Sequence, residues 1–140
     1  MKIVKDPYET LYQTATPVTE DEFSDVVETA NRALKLLKKH RSGIGLAANQ
    51  VGHTKRWFVS QLFKIVINPV VLDSSDVVEE AQEGCLSKPG QEYKVSRPSS
   101  IKVQWLSKKG TLINRKLSGL EARVFLHELD HLNGINIWNK

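Results

Sequence analysis

The chain has 140 residues, 40% hydrophobic and 26% charged, with a formal net charge of +4. That composition suits one globular domain, 1–140, able to bury a core without disulfides. The positive balance is small and its Lys and Arg are dispersed, so charge gives no case for a nucleic-acid partner. The single cysteine, Cys85, excludes an intrachain disulfide. Residues 1–10 lack the apolar stretch of a signal peptide, and no apolar run approaches the ~20 residues a bilayer span needs. The expected compartment is the cytoplasm, with no membrane partner.

Residues 1–18, punctuated by Pro7 and Pro17, read as extended or loop-like. Thr19 and Glu22 have capping-box spacing and open a helix. Phe23, Val26, Val27, Ala30, Leu34 and Leu37 share one of its faces. Acids (Glu20, Asp21, Glu22) occupy the first turn and bases (Lys38, Lys39, Arg41) the last, as the helix dipole favours. Ser42-Gly43 ends it. The middle of the chain reads as strands over Trp57–Ser60, Phe63–Leu72 and Val77–Ala81, with Pro69 imposing an edge or bulge. Ile101, Val103 and Trp105 alternate with Lys102 and Gln104 as a half-buried strand. Lys108-Lys109-Gly110 turns it back into Thr111–Leu117. Ser118 and Glu121 repeat the capping-box spacing and open a second helix through Leu120, Val124, Leu126, Leu129 and Leu132, which Asn133-Gly134 stops. The order of helix, strands and helix predicts an α+β domain, with antiparallel β-sheets packed around the last helix.

His127-Glu128-Leu129-Asp130-His131 lies inside that helix. Positions i and i+4 share a face one turn apart, so two imidazoles can chelate one ion. Glu128 lies beside them, within reach of a bound water. Such a pair also arises by chance on a helix, and an open catalytic site wants three protein ligands. Of the remaining histidines, His40 sits in a basic helix end and His53 in a turn, and both read as surface residues. Cys85, in Glu83-Gly84-Cys85-Leu86-Ser87 just after a predicted strand, is the natural third ligand. Alone it would be a small buried hydrophobe; as a thiolate it suits zinc or ferrous iron. Gly43-Ile44-Gly45-Leu46-Ala47-Ala48-Asn49-Gln50 has little side-chain cover, so a substrate can approach its backbone. Gln50 adds an amide able to donate to an oxyanion. Read alone, the segment is more simply a helix stop followed by tight packing. It lacks the Gly-Lys-Ser/Thr ending of a phosphate loop.

Together, Gly43–Gln50, Glu83–Ser87 and His127–His131 resemble the three signature motifs of peptide deformylases, in order and in approximate spacing. Ile67-Asn68-Pro69 and Val95-Ser96-Arg97-Pro98 look like further family segments. The resemblance implies a peptide deformylase-like fold. It implies a hydrolase that removes the N-formyl group from the N-terminal formyl-methionine of nascent polypeptides and releases formate. Cys85, His127 and His131 would hold one divalent ion, ferrous iron in the cell with zinc or nickel as alternatives, and water would take the fourth place. Glu128 would be the general acid/base. Gln50 and the Leu86 backbone N–H would hold the formyl oxygen. Ile44, Gly45 and Gly84 would contact a substrate lying as an added strand. Leu120 and Val124, on the His127 face of the helix, would line the methionine pocket or serve as ordinary core. The implied partners are formylated nascent chains at the ribosome, met by a monomer.

Two departures mark a compact form. The chain stops at Lys140, where many members continue into a further helix, and the stretch between Gly52 and Asn68 looks short. A virus-encoded enzyme could be trimmed in this way. Two other classes stay in view. A metallo-endopeptidase shares the helix motif, but its usual third ligand lies downstream, and no His, Glu or Asp follows His131. A structural metal module needs four protein ligands and a closed site, for which one cysteine and an adjacent glutamate are a poor match.

Overall fold

The apolar stripe of residues 23–37 becomes helix α1, Phe23–Lys38, which buries Val26, Ala30, Ala33 and Leu37. In this computed structural model, which describes residues 1–140, a 3-10 turn over Glu20–Glu22 precedes it. Thr19 N–H donates to Glu22 Oε1 at 3.0 Å, one half of the expected capping box. Glu22 N–H also donates to the Thr19 carbonyl at 3.1 Å, closing the tighter turn. Helix α2 spans Gly119–Leu132. Its N-cap, Ser118, makes no side-chain bond, and Glu121 pairs with Arg115 at 3.0 Å. The second capping box therefore does not form, because a guanidinium on the preceding strand offers the carboxylate a charged partner. The stop is as expected. Gly134 has φ +74 and its N–H returns to the His131 carbonyl at 2.9 Å.

Seven strands follow one another as β1 Gly45–Ala47, β2 Trp57–Ser60, β3 Lys64–Ser74, β4 Val78–Gly84, β5 Glu92–Pro98, β6 Ser100–Leu106 and β7 Leu112–Ser118. They form a five-stranded sheet in the order β1-β2-β3-β6-β7 and a separate β4-β5 ribbon, and every pairing is antiparallel. The β3–β6 register slips between Ile67 and Val70, where Pro69 has no N–H to give the ladder. Ile101, Val103 and Trp105 point into the core while Lys102 faces solvent.

Strands β1 and β5 are not anticipated by the sequence pattern. β1 is only three residues long and lies within the glycine-rich segment. β5 shows no apolar alternation because its buried side chains are Val95 and Arg97. His53 is exposed, as expected, whereas His40 is half-buried at the end of α1.

Helix α2 packs against β1, β2, β6 and β7 and also touches β5. Phe125, fully buried, meets Phe58 edge-on at 5.3 Å and Phe63 at 5.8 Å, with Trp105 5.8 Å away. This aromatic cluster fixes the rotation of α2. The face carrying Leu120, Val124, His127 and Glu128 then opens onto a cleft between the two sheets. No helix is long and apolar enough to cross a membrane.

Candidate active site

Strand β4 ends at Gly84, and the next residues turn sharply, with Lys88 N–H on the Cys85 carbonyl at 3.0 Å. The turn carries the Cys85 side chain to α2. There the i, i+4 step sets His127 and His131 edge to face, with ring centroids 5.1 Å apart. One ligand atom from each of the three residues lies within 4.8 Å of the other two. Cys85 Sγ is 3.5 Å from His131 Nε2.

Each imidazole has its other nitrogen occupied. His127 Nδ1 donates to Glu83 Oε1 at 2.7 Å, and His131 Nδ1 lies 2.9 Å from Asn136 Oδ1. An ionised carboxylate only accepts, so His127 Nδ1 carries a proton, and Nε2 is the nitrogen left for a metal, which would take the place of any proton there. Glu83 is itself held by a fork from Arg97, at 2.7 and 2.9 Å, and by Arg123 at 2.5 Å. Arg97 also reaches Asp130 at 2.8 Å. Burial opposes the Glu83 carboxylate, but the bonds from His127 and Arg97 outweigh it and hold its pKa well below the usual range.

The electrostatics favour a cation among these ligands. Burial opposes a charge on His127, yet Glu128, Cys85 and Glu83 together raise its pKa to about 10. His131 is pushed well below its ordinary value by burial and by His127, so it stays neutral. Soft sulfur and two neutral nitrogens form a donor set that accepts zinc or ferrous iron. The residues present therefore fit a catalytic metal.

Glu128 is 3% exposed. Burial pushes its carboxyl up to about 7, against the pull of His127 and Arg97. Its Oε1 is buried without a hydrogen-bond partner, an arrangement that costs stability and marks functional sites. Gly45 supports it from β1. A Cβ at position 45 would fall 2.5 Å from Glu128 Oε2, so this glycine is needed for space. Gly45→Ala is expected to displace the carboxylate and lower kcat by about 10²-fold, the typical effect of an ångström-scale misplacement. Steady-state kinetics with a melting curve of the same sample checks this; an unchanged kcat would contradict it.

Gln50 sits in a 3-10 turn, Ala48–Val51, that follows β1 directly. The glycine- and alanine-rich segment is thus a strand and a turn, not a helix stop. Gln50 Oε1 accepts from Ala47 N–H at 3.0 Å. That bond orients the amide so that Nε2 donates to Cys85 Sγ at 3.3 Å and Ser87 Oγ at 3.2 Å.

The cleft, ≈ 580 Å³ in volume, is walled by Ile44, Gly45, Gln50, Gly84, Cys85, Leu86, Leu120, Val124, His127 and Glu128, with Arg123 and residues 89–92 at its rim. Of the residues singled out in the sequence, His131 alone lies behind the wall, 1% exposed. Leu120 is 57% exposed at the mouth and so is not core, whereas Val124, at 7%, serves both the core and the cleft. Glu83, Arg97, Arg123 and Asn136 carry no sequence signal for a role in the site. Arg97 lies in one of the family-like segments, but a lone Arg in a strand gives no sign that it points inward.

A thiol and two imidazoles with ligand atoms within 4.8 Å of one another, beside a buried carboxyl at an open cleft, define a hydrolase centre built for a metal ion. The family model for polypeptide deformylases matches residues 1–140. A peptide deformylase of Thermotoga petrophila is 39% identical over 140 residues, spanning 98% of this chain and 83% of that protein. The crystal structure of peptide deformylase from Thermotoga maritima agrees with a TM-score of 0.93 at 36% identity, covering 99% of this chain and 95% of that one. The enzyme from the Vibrio parahaemolyticus bacteriophage VP16T, in complex with actinonin, agrees with a TM-score of 0.86 at 36% identity and is covered over its full length. The chain belongs to the peptide deformylase family, and its activity is the deformylation of formylated peptides.

Proposed function

We propose that residues 1–140 act as one catalytic unit in which Cys85, His127 and His131 hold the metal, Glu128 moves the proton, and Gln50 with the Leu86 N–H holds the formyl oxygen. The observation that carries this is the convergence of the three ligand atoms within 4.8 Å, beside a buried carboxyl whose Oε1 has no partner. The ion supplies a Lewis acid and a water acidified towards neutrality. Glu128 accepts the proton of the attacking water and returns it to the leaving amine; burial holds its carboxyl above the ordinary range, which favours carrying that proton. Gln50 Nε2 exchanges its Cys85 contact for the developing oxyanion, a donor typically worth ~3–4 kcal/mol of barrier.

The peptide enters as an added strand. β1 is the last strand of its sheet, and β4 pairs only with β5, so each presents an unpaired edge to the cleft. Ile44, Gly45 and Gly84 supply the backbone contacts. Leu120 and Val124 receive the methionine side chain. The substrates are nascent chains that begin with formyl-methionine, met in the compartment where such chains are made.

A formyl carbon carries only hydrogen, whereas an acetyl methyl must occupy space beside Gly45, Leu86 and the ligands. Overpacking of that size costs ~1–3 kcal/mol. Formyl-Met-Ala-Ser is therefore expected to release formate, and acetyl-Met-Ala-Ser to react at least ~10-fold more slowly. An unstructured casein-like protein should stay intact. Mass spectrometry of a mixture of the three checks this, and internal cleavage without formate would point to an endopeptidase.

Ferrous iron is the proposed ion in the cell: one thiolate with two imidazoles accepts several divalent metals, and the resemblance to the family is what favours iron. Iron-loaded enzyme should lose activity in air and keep it under anaerobic handling. Equal activity with zinc, indifferent to air, would remove the case for iron.

A further inference from the structure

We infer that Asn136 is a positioning residue for His131: from just beyond the end of α2, its side-chain amide fixes which imidazole nitrogen is offered to the metal and ties that ligand to the N-terminal segment. The inference rests on the assignment of His131 as a ligand. Three observations carry it. Asn136 Oδ1 lies 2.9 Å from His131 Nδ1. Asn136 Nδ2 donates to the Leu11 carbonyl at 2.9 Å. Both residues are 1% exposed, so water has no ready access to replace either bond.

The two bonds together settle the amide's orientation. The Leu11 carbonyl can only accept, so the amide NH2 must face it and the oxygen must face His131. An amide oxygen can only accept in turn, so His131 Nδ1 carries the proton and Nε2 keeps its lone pair, 3.5 Å from Cys85 Sγ. Flipping the amide would set NH2 against N–H and oxygen against oxygen, breaking both contacts at once.

The helix stop delivers Asn136 to this place. Gly134, at φ +74, turns the chain, Ile135 N–H returns to the Asp130 carbonyl at 2.9 Å, and Asn139 Oδ1 accepts from the Asn136 N–H at 2.8 Å. Asn is the residue type that serves both ends. Asp would keep an acceptor for His131 but turn oxygen against the Leu11 carbonyl, and Leu would serve neither. The two ligand histidines are thus held differently, His127 by a carboxylate and His131 by a neutral amide. His131 is held without a second buried negative charge.

The test separates positioning from mere stability. In the zinc-loaded, 15N-labelled wild type, long-range proton–nitrogen NMR should place the His131 proton on Nδ1. Zinc affinity, by competition with a chromophoric chelator, should fall about 10–100-fold in Asn136→Leu, the usual effect of losing a ligand's supporting partner. Asn136→Asp should recover most of that loss. Both variants should melt below wild type, since both lose the Leu11 bond. A wild type with no proton on His131 Nδ1 would overturn the inference, whether or not the variants fold. Wild-type affinity in Asn136→Leu, or an equal loss in Asn136→Asp, would reduce Asn136 to a structural role. Failure of the wild type itself to take up one zinc would instead remove the ligand assignment and this inference with it.

Discussion

Glu128→Ala is expected to keep its metal and lose about 10²–10⁴-fold or more in turnover, because no other group is placed to carry the proton. The side chain is 3% exposed and backed by Gly45, so solvent has little room to substitute. The neighbouring carboxylates are already engaged: Glu83 is bound by Arg97, Arg123 and His127, and Asp130 by Arg97 and Lys140. Stability should move the other way from activity. Removing a buried carboxyl with an unpartnered oxygen relieves a desolvation cost, which offsets packing lost in the truncation. Glu128→Gln, which keeps the shape, should melt at or above the wild-type temperature while remaining inactive. Turnover with formyl-Met-Ala-Ser, metal content and a melting curve on the same preparations check all three points. Near-normal turnover in either variant would contradict the assigned proton carrier.

Replacement of Cys85, His127 or His131 by Ala should release the metal on dialysis against a weak chelator and take activity to background. Three ligands leave no reserve, and the loss of one leaves the ion two protein contacts. The secondary effects should differ. His127→Ala strands the Glu83 carboxylate among Arg97 and Arg123, which still satisfy it. His131→Ala leaves the Asn136 oxygen buried without its partner, so it should be the least stable of the three. His40→Ala and His53→Ala, remote from the cleft, are the near-neutral controls. Full stoichiometric metal in all three ligand variants would show that the ion is held elsewhere.

The parts of the fold legible in the sequence are those set by local periodicity. The stripe Val26, Ala30, Leu37 encodes α1, and the alternation Ile101, Val103, Trp105 encodes β6, because burial on one face needs no distant partner to be visible. Asn133-Gly134 marks the end of α2 because a left-handed residue is required there. Elements whose inward side chains are polar escape this logic. In β5 the buried Arg97 is stable only through Glu83 and Asp130, which lie on other elements. At Ser118–Glu121 the capping signal is overridden by Arg115, six residues upstream on the strand that runs into the helix. The candidate site divides in the same way. Cys85, His127, Glu128 and His131 can be read from residue type and spacing. The partners that orient them, Glu83 for His127 and Asn136 for His131, become visible only when the chain is folded. An Asn just after a helix stop otherwise looks like an ordinary loop residue.

The most direct test is formate release from formyl-Met-Ala-Ser, measured against bound metal as wild-type enzyme is stripped by a chelator and then reloaded, with Cys85→Ala treated in parallel. Formate release should fall in proportion to metal, return on reloading, and stay at background in Cys85→Ala at every metal concentration. Formate release that persists in the stripped enzyme, or that metal restores equally to Cys85→Ala, would contradict a metal-dependent deformylase centre built on Cys85, His127 and His131.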